Sequence, residues 1–306
     1  MNFYVTILGS GAALPTKNRM PTAQYVNCNN RHFLIDCAEG TQLQLRKFKI
    51  NFQKITHVFI SHLHGDHYFG LVGLLSTMNL LGREKELTIY GPTELEVFIR
   101  PMLEFGGSRL GFNVSFVELN MDVKAIIYED DIVEVHSFPL VHKIPTCGFF
   151  IKEKPKPLKI NPKKIKEYNL KIEQFKLLQN GKDIVLESGE KCKYQELTLP
   201  SKEVLSYAYC SDTKKSLTIS KYVKSATVLY HEATFLIKDQ KRANATTHSS
   251  TKDAADIAIA AEVKKLVVGH ISSRYKTNEE HISELKELFI NSDVVEDGMC
   301  IDLTKV

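Results

Sequence analysis

Three histidines and one aspartate fall within six residues of the stretch 58–67, which reads VFISHLHGDH. These four residues are His62, His64, Asp66 and His67. Neutral imidazole nitrogens and carboxylate oxygens are ligands for Zn²⁺ and similar divalent metals. Because the cluster contains no cysteine, a closed structural zinc–thiolate site is not expected.

Further candidate ligands follow four other apolar, strand-like stretches. His142 follows VEVHSFPLV, Asp212 follows LSYAYCS, the pair His231 and Glu232 follows TVLY, and His270 follows LVVG. In layered α/β folds, ligand sites gather beyond the carboxyl ends of strands. We therefore expect these groups to meet the histidine cluster in one site.

The combined set exceeds what one tetrahedral ion needs, which indicates two metals that share a bridging ligand. Two neighbouring ions lower the pKa of a bridging water to near neutrality, and they hold the attacking and leaving oxygens of a phosphoryl transfer. The alternative is a solvated polar loop with no metal. For the isolated His32, His57, His136 and His281 we expect surface or satisfied core positions.

The elements that must position these residues alternate between strands and helices in both halves of the chain. Paired strands, AQYVN and HFLID, surround an Asn-Asn turn, and helical spacing recurs in FGLVGLLSTMNLL, in TELEVFIRPMLEF, and at about 250–263 and 279–289. This pattern predicts an α/β fold of two sheets between helix layers. We expect one domain over residues 1–306, interrupted by a surface insertion at 153–199.

The insertion is rich in lysine. Between residues 152 and 176 there are nine lysines and three glutamates, a net charge of +6 in a chain whose total is +4. A projecting lysine-rich element raises RNA affinity in a salt-dependent way, although most lysine runs are simply solvated faces. The lysines proposed to contact RNA are Lys154, Lys156, Lys159, Lys163 and Lys164.

Composition places the chain among ordinary globular proteins, with 43% hydrophobic and 25% charged residues. No apolar run reaches the roughly 18 residues that a membrane span needs, so we expect no membrane association. The N-terminus lacks a basic signal-peptide region. The six cysteines show no CxxC spacing, which favours reduced thiols and a cytoplasmic location.

The order and spacing of His62-x-His64-x-Asp66-His67, His142, Asp212 and His270 resemble the metallo-β-lactamase superfamily across essentially the whole chain. Within it, the chain resembles the tRNase Z family of tRNA 3′-processing endoribonucleases. The narrower match is carried by LGSGAALPTKNR, YHEAT, THSS and GHISSRY, which begin at residues 8, 230, 247 and 269.

This resemblance implies a four-layer αββα sandwich with a lysine-rich inserted arm, and two Zn²⁺ ions per subunit. One zinc would be held by His62, His64 and His142, the second by Asp66, His67 and His270, with Asp212 as the bridge. As catalytic residues it implies Asp66, which would orient or deprotonate the attacking water, and Glu232 with His248, which would deliver a proton to the leaving ribose 3′ oxygen. It also implies a precursor tRNA substrate and a homodimer in which one subunit's arm guides tRNA to the other's site.

The accessory motifs have simpler readings as well. Glu232 would serve only to orient a metal-bound histidine, and the residues after His248 would simply cap the following helix. Ser272 and Arg274 are candidates for phosphate contact, although a plain surface position fits Arg274 equally. The chain departs from the family because Met20 stands where an asparagine is usual and because the arm lacks the usual Gly-Pro-rich turn.

Lys17 and Arg19, from the basic loop, are further candidates for RNA contact. Three functions remain open from the sequence. The first is removal of the 3′ trailer from tRNA precursors by hydrolysis of a phosphodiester. The second is a general dinuclear-metal phosphodiesterase or small-ester hydrolase. The third is a nucleic-acid-binding relative without metals, against which the complete ligand set argues.

Overall fold

The computed structural model describes residues 2–105, 109–200 and 203–306. The chain forms two compact units, one made of Met1–Lys152 with Leu205–Val306 and a smaller one made of Glu153–Val204. Within the described residues, no helix is both long enough and apolar enough to cross a membrane.

The strands, in chain order, are β1 (Phe3–Gly9), β2 (Ala23–Cys28), β3 (Arg31–Ile35), β4 (His57–Phe59), β5 (Leu87–Gly91), β6 (Val114–Glu118), β7 (Ala125–Glu129), β8 (Val133–Pro139), β9 (Cys147–Glu153), β10 (Ile184–Val185), β11 (Lys191–Cys192), β12 (Ser206–Cys210), β13 (Val228–Glu232), β14 (Lys265–Gly269), β15 (Ser292–Val294) and β16 (Cys300–Asp302).

The helices are α1 (Thr41–Lys47), α2 (Gly65–Tyr68), α3 (Leu71–Leu80), α4 (Glu94–Phe105), α5 (Pro162–Glu167), α6 (Ile172–Gln179), α7 (Tyr194–Leu197), α8 (Thr218–Tyr222), α9 (Gln240–Thr246), α10 (Thr251–Ala260) and α11 (Glu279–Leu288). The helices predicted near 250–263 and 279–289 are α10 and α11, and the predicted strand pair is β2 with β3. The turn of that pair, Asn29-Asn30, has φ values of 48° and 66°, as a type I′ hairpin requires.

The larger unit is built on two seven-stranded sheets, in the orders β16-β1-β2-β3-β4-β5-β6 and β15-β14-β13-β12-β9-β8-β7. Their inner faces share one apolar core, to which Phe33 and Phe59 contribute from the first sheet and Phe149 and Tyr209 from the second. Burial of this surface is the main force that holds the sheets together.

Helices cover the outer face of each sheet. Side chains of α3 and α4, such as Leu74 and Ile99, pack on the first sheet, and those of α10 and α11, such as Ile257 and Leu285, pack on the second. The larger unit is therefore a four-layer αββα sandwich, which confirms the predicted α/β metallo-β-lactamase fold class.

The sheet topology brings the candidate ligands to strand ends. The strands β12, β13 and β14 run parallel to one another, as do β3, β4 and β5. Asp212 and His270 lie just beyond the ends of β12 and β14, and Glu232 is the last residue of β13. Since parallel strands end at the same edge, these side chains converge there.

The smaller unit has its own architecture. It consists of α5, α6, α7 and the two-stranded β10–β11 ladder, closed by a bridge between Ile160 and Thr198. A small apolar core holds it together, formed by Leu170, Leu178, Ile184, Cys192 and Leu197. The lysine-rich insertion predicted at 153–199 falls within this unit.

Candidate metal centre

The histidine cluster lies on the loop after β4 and on α2. His62 is fully buried, His64 precedes α2, and Asp66 and His67 lie within it. The α2 turn is fixed against the loop after β3, because the amide of Cys37 donates to the His67 carbonyl at 2.7 Å. The next helix approaches the same loop so closely that a Cβ on Gly70 would lie 1.9 Å from the Ala38 carbonyl oxygen, so only glycine fits there.

One group of ligands surrounds a first site. His62, His64, His142 and Asp212 each offer an atom, and these atoms lie within 4.8 Å of one another. His64 Nδ1 is 3.0 Å from His62 Nε2 and 3.2 Å from His142 Nε2. Nitrogens that lie this close with their lone pairs convergent form a site suited to a cation.

A second group lies beside the first. Ligand atoms of Asp66, His67 and His270 also lie within 4.8 Å of one another. Asp66 Oδ2 is 3.7 Å from His67 Nε2 and 3.5 Å from His270 Nε2. The carboxylate of Asp66 is held in place by the amide of Ala13, which donates to the same oxygen at 2.8 Å.

Asp212 lies between the two groups and presents one oxygen to each. Its Oδ2 is 3.7 Å from both His62 Nε2 and His142 Nε2. Its Oδ1 is 3.4 Å from His67 Nε2 and 3.2 Å from His270 Nε2. This orientation is the one that a carboxylate bridging two cations requires.

Several ligand atoms are buried without a hydrogen bond, among them Asp212 Oδ1, His67 Nε2 and His270 Nε2. A buried polar atom without a partner costs about 1–3 kcal/mol. Divalent cations at the two sites would satisfy these atoms, so the residues present fit a pair of metal ions.

The remaining ring nitrogens of the ligands are fixed by hydrogen bonds. His142 Nδ1 donates to the Thr247 carbonyl oxygen at 2.9 Å, and because a carbonyl only accepts, its Nε2 carries a free lone pair. Similarly, His270 Nδ1 lies 2.9 Å from the Thr234 hydroxyl. Such partners orient a metal-binding imidazole and fix its tautomer.

Asp36 is a supporting residue that the sequence reasoning missed. Its fully buried carboxylate accepts hydrogen bonds from Ser61 and Tyr209 and lies 2.8 Å from His67 Nδ1. Asp36 follows β3 directly, so the rule that polar groups gather at strand ends could have identified it.

The charges around the buried histidines favour a cation at the site, and a metal that binds His67 displaces the proton of its ring. Burial, together with the neighbouring histidines, holds the pKa of His62 well below its usual value, so its ring is neutral. Burial also lowers the pKa of His67, but the carboxylates of Asp212, Asp36 and Asp66 prevail and raise it well above its usual value. The same carboxylates that stabilise a proton on His67 would stabilise a cation beside it.

Glu232 and His248 form a pair beside the ligand groups. Glu232 is fully buried, and its Oε1 lies 2.8 Å from His248 Nδ1. The other ring nitrogen, Nε2, lies 3.9 Å from Asp212 Oδ2. Burial lowers the pKa of His248, but the Glu232 carboxylate outweighs this effect and raises the pKa to about 9. The pair therefore presents a protonated imidazole beside the ligand groups.

Glu232 also contacts the support of a ligand. Its Oε2 accepts from the amide and hydroxyl of Thr234 at 3.0 and 2.7 Å. Because this hydroxyl donates its hydrogen to the carboxylate, it accepts from His270 Nδ1–H and so leaves His270 Nε2 available. The two readings of Glu232, as the partner of His248 and as an orienting group for a ligand, are therefore compatible in geometry.

The residues after His248 also cap a helix, as the simpler interpretation of this motif predicts. Ser250 is the N-cap of α10, and its hydroxyl and Asp253 exchange reciprocal hydrogen bonds with the backbone. Capping of this kind stabilises a helix by about 1 kcal/mol. The cap fixes the residues that follow His248.

The ligand groups open into a cleft of about 400 Å³. Its lining includes His64, Asp66, Asp212, His248, His270, Ser272 and Arg274, all predicted site residues. The guanidinium of Arg274 lies 3.5 Å from Asp239 Oδ1 and stacks over the ring of Phe235 at 5.4 Å. Sequence reasoning did not identify Arg242, Thr246 and Ser273, which line the same cleft.

The predicted RNA-contacting residues occupy different environments. Lys17 is exposed, whereas Arg19 is buried and donates to the Tyr275 carbonyl and to Asn278 Oδ1 at 2.8 and 2.6 Å. Arg19 therefore anchors its loop in this structure, and contact of either residue with phosphate stays a prediction.

In the smaller unit, Lys156, Lys159 and Lys163 are exposed, Lys154 is half-buried, and Lys164 pairs with Glu167 at 2.9 Å. The isolated histidines lie outside the ligand groups. His32 contacts the Tyr25 hydroxyl, His57 the Thr56 hydroxyl and His136 the carboxylate of Glu134, and His281 is buried against the ring of Tyr275.

Comparisons with known proteins identify close relatives. A family model described as Anti-Pycsar protein Apyc1 matches residues 3–152. Ribonuclease Z of Bacteroides thetaiotaomicron is 42% identical over 98% of this chain and 95% of its own length. Ribonuclease Z of Cytophaga hutchinsonii is 42% identical over 94% of this chain and 92% of its own length.

Solved structures give the same picture. Human tRNase Z, short form, is 28% identical with a TM-score of 0.71, over 98% of this chain and 99% of that one. The metallo-beta-lactamase fold protein YhfI from Bacillus subtilis has a TM-score of 0.69 over 99% of this chain and 100% of that one. At 16% identity, YhfI shows the fold alone.

Proposed function

This chain belongs to the ribonuclease Z family, and we propose that it is a zinc-dependent endoribonuclease that removes the 3′ trailer from tRNA precursors and leaves a 3′-hydroxyl on the tRNA. The observation that carries this proposal is the bridging position of Asp212 between two ligand groups, with the Glu232–His248 pair beside it. The ligand groups around Asp212 offer a hydrolytic centre for a phosphodiester, and the Glu232–His248 pair offers a proton for the leaving group.

The two zinc ions would be held by the seven predicted ligands. His62, His64 and His142 would hold one ion, Asp66, His67 and His270 would hold the other, and Asp212 would contact both. When bound, such ions supply Lewis-acid activation of water and neutralise charge on the phosphodiester.

The chain's own residues position the reactants. Asp66, fixed by the Ala13 amide, accepts a hydrogen bond from the attacking water and so aims its oxygen at phosphorus. The water oxygen bonds to phosphorus opposite the ribose 3′ oxygen and gives one proton to the Asp66 carboxylate, while the bond from phosphorus to the 3′ oxygen breaks. The trailer then carries a 5′-phosphate.

The leaving 3′ oxygen takes a proton as it departs. His248 carries this proton on Nε2, and Glu232 holds the opposite ring nitrogen and stabilises the imidazolium. Because an alkoxide is a poor leaving group, a positioned acid of this kind accelerates cleavage by about 10²- to 10⁴-fold.

Quaternary structure and location are also proposed. Exposed apolar side chains on α1, α3 and α4 and on the loop before α3 support a homodimer, because association would remove them from water. They include Leu43, Phe69, Leu80, Phe98 and Met102. None of the six cysteines forms a disulfide among the described residues, which is consistent with a reducing cytoplasm.

The function is tested with a 3′-extended precursor tRNA, with and without a chelator. We expect one cut at the junction of tRNA and trailer, a 3′-hydroxyl on the tRNA and complete loss of cutting after metal removal, restored by zinc. Hydrolysis of bis(p-nitrophenyl) phosphate without any cleavage of the precursor would instead favour a general phosphodiesterase.

We propose that the lysines of the smaller unit bind the tRNA body. Changing four exposed lysines to glutamine leaves the small apolar core intact and removes charge; these are Lys156, Lys159, Lys163 and Lys166. We expect a higher KM for precursor tRNA. The slope of log K for binding against log salt concentration should become shallower by about one for each lysine that contacts phosphate.

The matched control changes four exposed lysines of the larger unit, Lys49, Lys54, Lys85 and Lys221, to glutamine. Both variants lose the same formal charge, so a general electrostatic effect would appear in both. Equal increases in KM for the two variants would remove the binding role of the smaller unit.

A further inference from the structure

An arginine that none of the sequence motifs includes lies in the wall of the cleft. Arg242 belongs to α9, and both Arg242 and Thr246 line the cleft. These two residues are four positions apart, so they share one face of the helix. That face of α9 is therefore turned towards the ligand groups, and the chain continues from α9 through Thr247 to His248.

The guanidinium of Arg242 has no partner among the residues that the structure describes. It is exposed, and among the described residues its side chain makes no ion pair and no hydrogen bond. The other arginine of the cleft, Arg274, is held by Asp239 and Phe235. Arg242 thus offers a planar set of donors, suited to the two oxygens of a phosphate, in the wall of the cleft.

The depth of Arg242 in the cleft indicates which phosphate it reaches. Asp212 and His270 at the floor are buried, with 3% of their surface exposed, whereas Arg242 lies at the exposed mouth. The scissile phosphate must reach the floor, where the ligand groups are. A group at the mouth therefore meets a neighbouring phosphate of the same strand.

We propose that Arg242 binds the phosphate immediately 5′ of the scissile phosphate, on the tRNA side of the cut. This inference rests on the proposed function. The side is assigned because α9 leads into His248, which serves the leaving 3′ oxygen, and that oxygen belongs to the last tRNA nucleotide. The 5′ phosphate of the same nucleotide is then the nearest neighbour on that side.

The test combines a protein change with a substrate change. Arg242→Ala is expected to lower kcat/KM for precursor tRNA by about 10- to 100-fold, since hydrogen bonds to charged groups are strong. When the phosphate 5′ of the cut is replaced by a neutral methylphosphonate, kcat/KM of the wild-type chain should fall by a similar factor. The two changes together should lose little more than either one alone, because both remove the same contact.

The controls separate this inference from the proposed function. Lys241→Ala changes the exposed neighbour of Arg242 on the same helix, outside the cleft lining, and should cleave like the wild type. A methylphosphonate on the 3′ side of the cut should add its effect to that of Arg242→Ala. If the wild type cleaves and Arg242→Ala cleaves equally well, the inference is overturned and the function stands. The same holds if the effects of Arg242→Ala and of the methylphosphonate at the 5′ phosphate are fully additive. Absence of wild-type cleavage would overturn the function.

Discussion

The Asp212→Asn variant is expected to lose cleavage of a 3′-extended precursor tRNA by about 10³-fold or more while it still binds the precursor. The reason is geometric, because Asp212 presents one carboxylate oxygen to each ligand group. Asparagine keeps the shape but offers only one acceptor oxygen, so the bridge is lost. A loss of about 4 kcal/mol of transition-state stabilisation corresponds to that factor.

Cleavage should be measured by single-turnover kinetics, with precursor binding measured by gel shift. Asp122→Asn, which changes an exposed carboxylate, is the matched control and should behave like the wild type. An unchanged circular dichroism spectrum would show that the variant folds. Turnover near the wild-type rate in the folded Asp212→Asn variant would refute the bridging role.

The second large effect is expected for His248→Ala. Its ring lies 2.8 Å from Glu232 and faces the cleft, where a leaving oxygen would receive its proton. RNA cleavage should slow by about 10²- to 10⁴-fold, because the ribose 3′ oxygen needs that proton. Hydrolysis of bis(p-nitrophenyl) phosphate should slow far less, since p-nitrophenolate leaves without one.

The comparison requires both substrates at saturating metal concentration. His136→Ala, which removes a histidine that pairs only with Glu134 among the described carboxylates, is the matched control and should leave both rates unchanged. If His248→Ala slows both substrates by the same factor, the imidazole does not serve the leaving group, and the Glu232–His248 pair has only a structural role.

The sequence was sufficient to predict which strand ends bear the candidate metal ligands. Short apolar stretches, each followed by a histidine or aspartate, predicted where His62, Asp212 and His270 would meet, and the structure brings them together. The reason is that the hydrophobic period and the strand-end rule are both local signals that one sequence carries.

Other features depend on contacts far apart in the chain. The pairing of β16 with β1 joins the two ends of the chain, and no local pattern specifies that partner. Arg19 looked like a free cation in its loop, but its partners Tyr275 and Asn278 come from a segment more than 250 residues away. Which charged side chains are paired and which are free therefore could not be predicted from the sequence.

The backbone conformation at the site also could not be predicted from the sequence. Asp36, Thr247 and His270 have φ values of 54°, 59° and 58°, in the left-handed region that non-glycine residues rarely adopt. Each of these residues either belongs to the ligand groups or supports one of them. Strained backbone of this kind concentrates at functional sites, where the surrounding structure stabilises it.

The central claim is that two divalent ions lie on opposite sides of Asp212. Anomalous X-ray scattering at the zinc edge, measured on crystals of the zinc-loaded chain, tests it most directly. We predict two peaks, one among His62, His64 and His142 and one among Asp66, His67 and His270, both in contact with Asp212. A single peak, or peaks located away from these side chains, would contradict the account.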